Sequence, residues 1–153
     1  MVTRLALALV TLLVFVPVAA LAAECSGYDA LVNQTMETFE AAKGHSVTIF
    51  RHASILITDD PTSKYNLTTG ECIGTVLTMP DGATSSAGRC ARRDKAGDSY
   101  SLEWTQAPRA ERGGWKGSAG TGKFAASTEN SGWFEFAVAD GKMAVVKWGG
   151  VCQ

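Results

Sequence analysis

The sequence predicts an all-β domain, an antiparallel barrel or sandwich, preceded by one short helix. Three observations carry this. Apolar and polar residues alternate in short runs from His45 to the C-terminus, turn residues recur between those runs, and a helical period is confined to Ser26–Lys43.

In chain order, the first 23 residues, MVTRLALALVTLLVFVPVAALAA, form a secretory signal peptide. They carry one positive charge at Arg4, an apolar run from Leu5 to Val18, and small residues at Ala20 and Ala22, with cleavage expected between Ala22 and Glu24. Pro17 and the small-residue exit argue against a retained anchor, and no later segment approaches the roughly 20 apolar residues a spanning helix needs. The expected location is therefore secreted or periplasmic, with no membrane span once the leader is gone. Residues 24–153 are one domain, long enough to bury a core. Losing Arg4 takes the formal net charge from −1 to −2, which speaks against a nucleic-acid partner.

The four cysteines, Cys25, Cys72, Cys90 and Cys152, all follow the leader. An even count behind an export signal reads as two disulfides. A metal site is not expected, because no C-x-x-C pair occurs and only His45 and His52 are available to complete one. Cys72 and Cys90 flank Asp81 of the turn MPDGA symmetrically, so a hairpin there sets them opposite each other. Cys25 and Cys152 would then tie the chain ends together.

Val32, Met36 and Phe39 stand at i, i+4 and i+7, one apolar stripe of a helix over Ser26–Lys43. Ser26 or Asp29 would cap its start and Gly44 would end it. Beyond Gly44 the period becomes two. Val47 and Ile49, then Tyr100, Leu102 and Trp104, then Phe134, Phe136 and Val138 mark strands with one buried face. Turns are expected at Asp59–Ser63, Pro80–Gly82, Lys95–Gly97, Gly113–Gly114 and Asp140-Gly141, the last a hairpin signal. The segment Asp59–Asn66 is the longest loop.

The glycine-rich stretch GSAGTGKFAA, Gly117–Ala126, meets seven positions of a nucleotide-binding loop but places Phe124 where the magnesium-binding hydroxyl belongs. No nucleotide or other cofactor is expected. Its glycines suit a strand that bends or bulges sharply, with Phe124 anchored in the core and Lys123 turned to solvent. Asp94 and Asp98 lack the further acidic ligands of a calcium loop and read as a charged turn.

Candidate site residues follow from what a barrel encloses. Glu103 and Glu135 lie within strands, and either would act as an acid or base if burial raised its pKa. The alternation also permits both to face solvent. Trp104, Trp115, Trp133 and Trp148 suit an apolar or ring-containing ligand if they surround a cavity, and otherwise serve as core pillars.

The run from Gly88-Arg-Cys-Ala-Arg-Arg-Asp94 through Gly114-Trp115-Lys116 and Gly120-Thr-Gly-Lys-Phe124 to Trp148-Gly-Gly150 resembles small exported bacterial proteins of unassigned role. Its G-T-G-x-F element is similar to a segment of the allene oxide cyclase and dirigent barrel superfamily. The resemblance implies an eight-stranded antiparallel barrel, often a homo-oligomer, whose cavity takes hydrophobic or phenolic molecules. The catalytic residues of those enzymes find no match in this chain, so the resemblance implies the fold and assigns no active site. Three functions are thereby set against one another. The first is a binder of a small apolar ligand, a non-enzyme on these residues. The second is a barrel isomerase or cyclase working with a buried carboxylate, and the third an exported inhibitor that presents Asp59–Asn66 to a target.

Overall fold

The computed structural model describes residues 23–153; the predicted leader and most of its cleavage site lie outside them. The described chain is a closed eight-stranded barrel in which every strand pairs antiparallel with its neighbours in sequence, and the last pairs with the first. The strands are β1 (Ala23–Ala42), β2 (His45–Thr58), β3 (Thr69–Thr78), β4 (Thr84–Arg93), β5 (Ser99–Gln106), β6 (Gly113–Gly120), β7 (Ser131–Ala139) and β8 (Met143–Cys152). One 3-10 helix, Gly122–Glu129, joins β6 to β7.

The helix expected over Ser26–Lys43 is a correction: that segment is β1. Its first half pairs on both sides, with β2 and with β8 over Ala23–Val32, so the barrel closes only if this segment is extended. Those two ladders outweigh a modest helical preference. A register shift between Asn33 and Thr35 also moves the inward face from odd to even positions, from Leu31 to Met36. Across that offset the apolar stripe shares no single face, for Met36 pairs with inward-facing Phe50 while Val32 and Phe39 pair with Ala53 and Val47 on the outer side. The Gly113–Gly114 turn is likewise displaced, for both glycines open β6 and the connection is the preceding segment 107–112.

Both disulfides form in the expected pairing. Cys72 and Cys90 are direct cross-strand partners on β3 and β4 with Cα atoms 4.0 Å apart, the close spacing of a non-hydrogen-bonded pair. Cys25 and Cys152 bridge β1 and β8, where the barrel seals.

One end of the barrel is plugged. The connection between β2 and β3 folds inward and buries Tyr65, and the 3-10 helix brings in Phe124, which is wholly buried. With Tyr100 they form an aromatic triangle whose ring centroids lie 4.8–5.2 Å apart. Polar groups among them are paired. The Tyr65 hydroxyl donates to the Gln153 carbonyl (2.8 Å) and accepts from Asn130 Nδ2 (2.7 Å), and Thr68 Oγ1 meets Tyr100 Oη at 3.0 Å. A Cβ on Gly117 or Gly120 would stand 1.6 and 1.8 Å from the carbonyl oxygens of Ser127 and Phe124, so only glycine lets the helix lie against β6. The second half of GSAGTGKFAA is therefore helical from Gly122 on, where the sequence suggested a bent or bulged strand. The register shift within that segment skips Ser118. Lys123 pairs with Asp94 at 2.6 Å.

Candidate functional site

Above the plug the barrel encloses a cavity of about 120 Å³. Strand alternation decides which side chains reach it. Strand β1 contributes Asp29 and Leu31, β2 contributes Phe50, His52 and Leu56, and β8 contributes Val146 and Trp148. At the end opposite the plug, Phe50 and Trp104 stack at 5.9 Å and 20°, and Trp104 meets Phe134 edge to face. Glycine makes room for those rings. A Cβ on Gly88 would stand 2.4 Å from Trp104 Cζ2, and one on Gly74 would stand 2.6 Å from both Phe50 Cζ and Trp104 Cζ2. Phe136 lines the same cavity yet is half-exposed, so the cavity reaches solvent past the end of β7.

Into this apolar enclosure the chain inserts one ion pair. Arg92 of β4, 2% exposed at its side chain, donates through Nη2 to Asp29 Oδ2 of β1. Burial raises the pKa of the Asp29 carboxyl, and the adjacent guanidinium works against that rise. Burial also pushes the Tyr100 hydroxyl up to about 12, which keeps it a neutral hydrogen-bonding group. His52 rests against Phe50 with centroids 4.4 Å apart, and burial lowers its pKa toward the neutral imidazole. Among the described residues, Arg92 Nε and Nη1, Asp29 Oδ1, both His52 nitrogens and Trp148 Nε1 have no hydrogen-bond partner in the protein.

The candidates named from sequence divide. Trp104, Trp115 and Trp148 line the cavity. Trp133 does not; it lies outside, under the Arg112 guanidinium at 4.0 Å from its ring centre. Glu103 and Glu135 do not either, for each forms an ion pair on the outer wall, with Arg89 (2.5 Å) and Arg112 (2.9 Å). The carboxylate that does enter is Asp29, which in the sequence reads as a helix cap. Arg92 escapes sequence reasoning too, although a signal exists: it stands two residues beyond Cys90, and in a strand both side chains point the same way. Asp94 and Asp98 are engaged locally, since Asp94 Oδ1 accepts from the Ala96 and Asp98 amides, and the described residues hold no cluster arranged to bind a metal. In the loop Asp59–Asn66, residues 59–62 are exposed while Tyr65 turns inward as part of the plug.

No family model and no curated protein matches the chain. Two solved structures share the fold. An enzyme from Penicillium herquei aligns with a TM-score of 0.67 at 7% identity, covering 86% of this chain and 95% of its own. A protein of unknown function from Clostridium acetobutylicum aligns with a TM-score of 0.63 at 8% identity, covering 88% and 99%. At such identities the likeness concerns the path of the backbone, and site chemistry must be argued from this chain's own residues.

Proposed function

We propose that this chain is an exported binding protein that takes a small, mainly apolar molecule into the barrel. The observation that carries the reading is the cavity itself, walled by Leu31, Leu56, Leu102, Trp104, Phe134 and Trp148 and open at one end. A barrel of eight strands has just enough interior to be filled by its own side chains or to hold one small ligand, and here the glycines at 74 and 88 let the Phe50 and Trp104 rings lie close against the wall. Two disulfides suit an oxidising compartment, which supports a secreted or periplasmic location.

Titration with N-phenyl-1-naphthylamine, a neutral apolar fluorophore, tests the reading. The expected result is saturable binding of one probe per chain with enhanced emission. Leu102→Trp, which fills the cavity, should weaken it about tenfold or more while leaving the circular dichroism of the barrel intact. Absence of saturable binding to the unmodified protein would refute the proposal.

A second reading, proton-transfer catalysis in the barrel, is favoured by one observation: Asp29 is a buried carboxyl of raised pKa with an unpartnered oxygen at the cavity. In this reading Asp29 takes the role that Glu103 and Glu135 cannot take from outside. Asp29→Asn should then abolish turnover of a bound substrate while leaving its affinity within about threefold.

A further inference from the structure

We infer that the buried Arg92–Asp29 pair receives the carbonyl oxygen of a neutral apolar molecule; this rests on the reading that the barrel takes up apolar ligands. A guanidinium has five N–H donors in a planar fork. Arg92 is buried, and within the protein it uses one nitrogen, Nη2, on Asp29. Nε and Nη1, on the rest of the fork, have no partner among the described residues, and neither has Trp148 Nε1 on the same cavity wall. A buried donor left unpaired is costly, more so on a charged group, so these Arg92 and Trp148 donors lack an acceptor within reach.

Charge narrows the class of acceptor. Arg92 and Asp29 already neutralise each other. A carboxylate or phosphate would bring a second negative charge into an enclosure with one cation, and burying unbalanced charge in an apolar setting is expensive. A carbonyl oxygen accepts up to two hydrogen bonds, adds no charge and brings no donor of its own to satisfy. The rest of the molecule is chosen by the walls. Trp104 and Phe134 at the open end and Leu31 and Leu56 alongside offer hydrocarbon and ring faces, with His52 and the pair itself for polar contact above the Tyr65, Tyr100, Ser127 and Asn130 groups of the plug.

The test uses the full domain with both disulfides formed and three ligands of one skeleton: acetophenone labelled with carbon-13 at the carbonyl, ethylbenzene and benzoate. Calorimetry at neutral pH is expected to give acetophenone an affinity about tenfold or more above both others, the scale of one hydrogen bond to a charged donor. Its carbonyl resonance should move to higher frequency on binding. In the double variant Asp29→Asn/Arg92→Gln, which keeps an uncharged pair in place, that preference over ethylbenzene and the resonance shift should both disappear. Ethylbenzene binding the unmodified protein as tightly as acetophenone would overturn the inference while sparing apolar uptake. Benzoate binding tightest would overturn it in favour of an acidic ligand. Failure of all three to bind would sink the underlying binding reading instead. The ligand comparison needs no variant to fold, so the inference stays testable if the double variant does not.

Discussion

At the scale of single residues, two titratable groups in the cavity have opposite effects on stability. The His52 imidazole, held down by burial, is disfavoured as a cation in the folded chain, whereas unfolded it titrates near 6.5. On acidification the folded state therefore takes up fewer protons than the unfolded one. Stability present above that value is lost as pH falls through it toward the folded pKa. Asp29 runs the other way. Its folded pKa lies above the ordinary value of 3.8, so stability is greatest below 3.8 and declines as pH rises through the folded value. Urea unfolding of the protein between about pH 8 and pH 5 should show the His52 loss, and His52→Gln should flatten that part of the profile. An unchanged slope in the variant would mean that His52 is not the group responsible. Neither role is written in local sequence. His52 could be placed on the face of Phe50 by alternation alone, but the meeting of Asp29 with Arg92 joins β1 to β4, strands that are not neighbours, and only closure of the barrel brings them together.

At the scale of elements, the plug and the glycines of the wall are the features most open to test. Phe124→Ala removes a wholly buried aromatic ring and should cost about 3–5 kcal/mol, read as a lower urea midpoint with an unchanged slope. Gly88→Ala places a methyl on the Trp104 ring and against the Ile73 carbonyl, and should cost about 1–3 kcal/mol while changing tryptophan emission. Emission identical to the parent protein would show that Trp104 does not lie over this glycine. The strands β2 to β5, the β7–β8 hairpin and the Cys72–Cys90 bridge were legible because their evidence is local: alternation, turn residues and symmetric cysteines; Cys25–Cys152 then followed as the remaining pair. β1 was not, since its identity as a strand comes from pairing with residues as distant as Cys152, and its bulge disguises the period of two. The 3-10 helix was hidden for a related reason. Phe124 is its one large apolar side chain, too little to mark a period, and what holds it is the close approach of Gly117 and Gly120 to its carbonyls.

At the scale of the whole molecule, the two disulfides constrain very different lengths of chain. Cys25–Cys152 spans 127 residues and Cys72–Cys90 spans 18. Loop-closure entropy assigns them about 5 and about 3 kcal/mol. Replacing Cys25 and Cys152 by serine should therefore lower stability more than replacing Cys72 and Cys90, and urea titration of the two double variants checks the order. The reverse order would show that packing around the inner bridge outweighs chain entropy. The plug described above also gives the barrel polarity along its axis. Arg92 pairs with Tyr100, next to the sealed end, while Gly88 pairs with Trp104 at the aromatic rim; four residues of β4 separate them, about 13 Å along the strand. If the barrel takes up a guest as proposed, one that satisfies Arg92 enters head first past that rim and leaves tail first. Anything longer than that depth would, in the proposed reading, trail outside the aromatic rim.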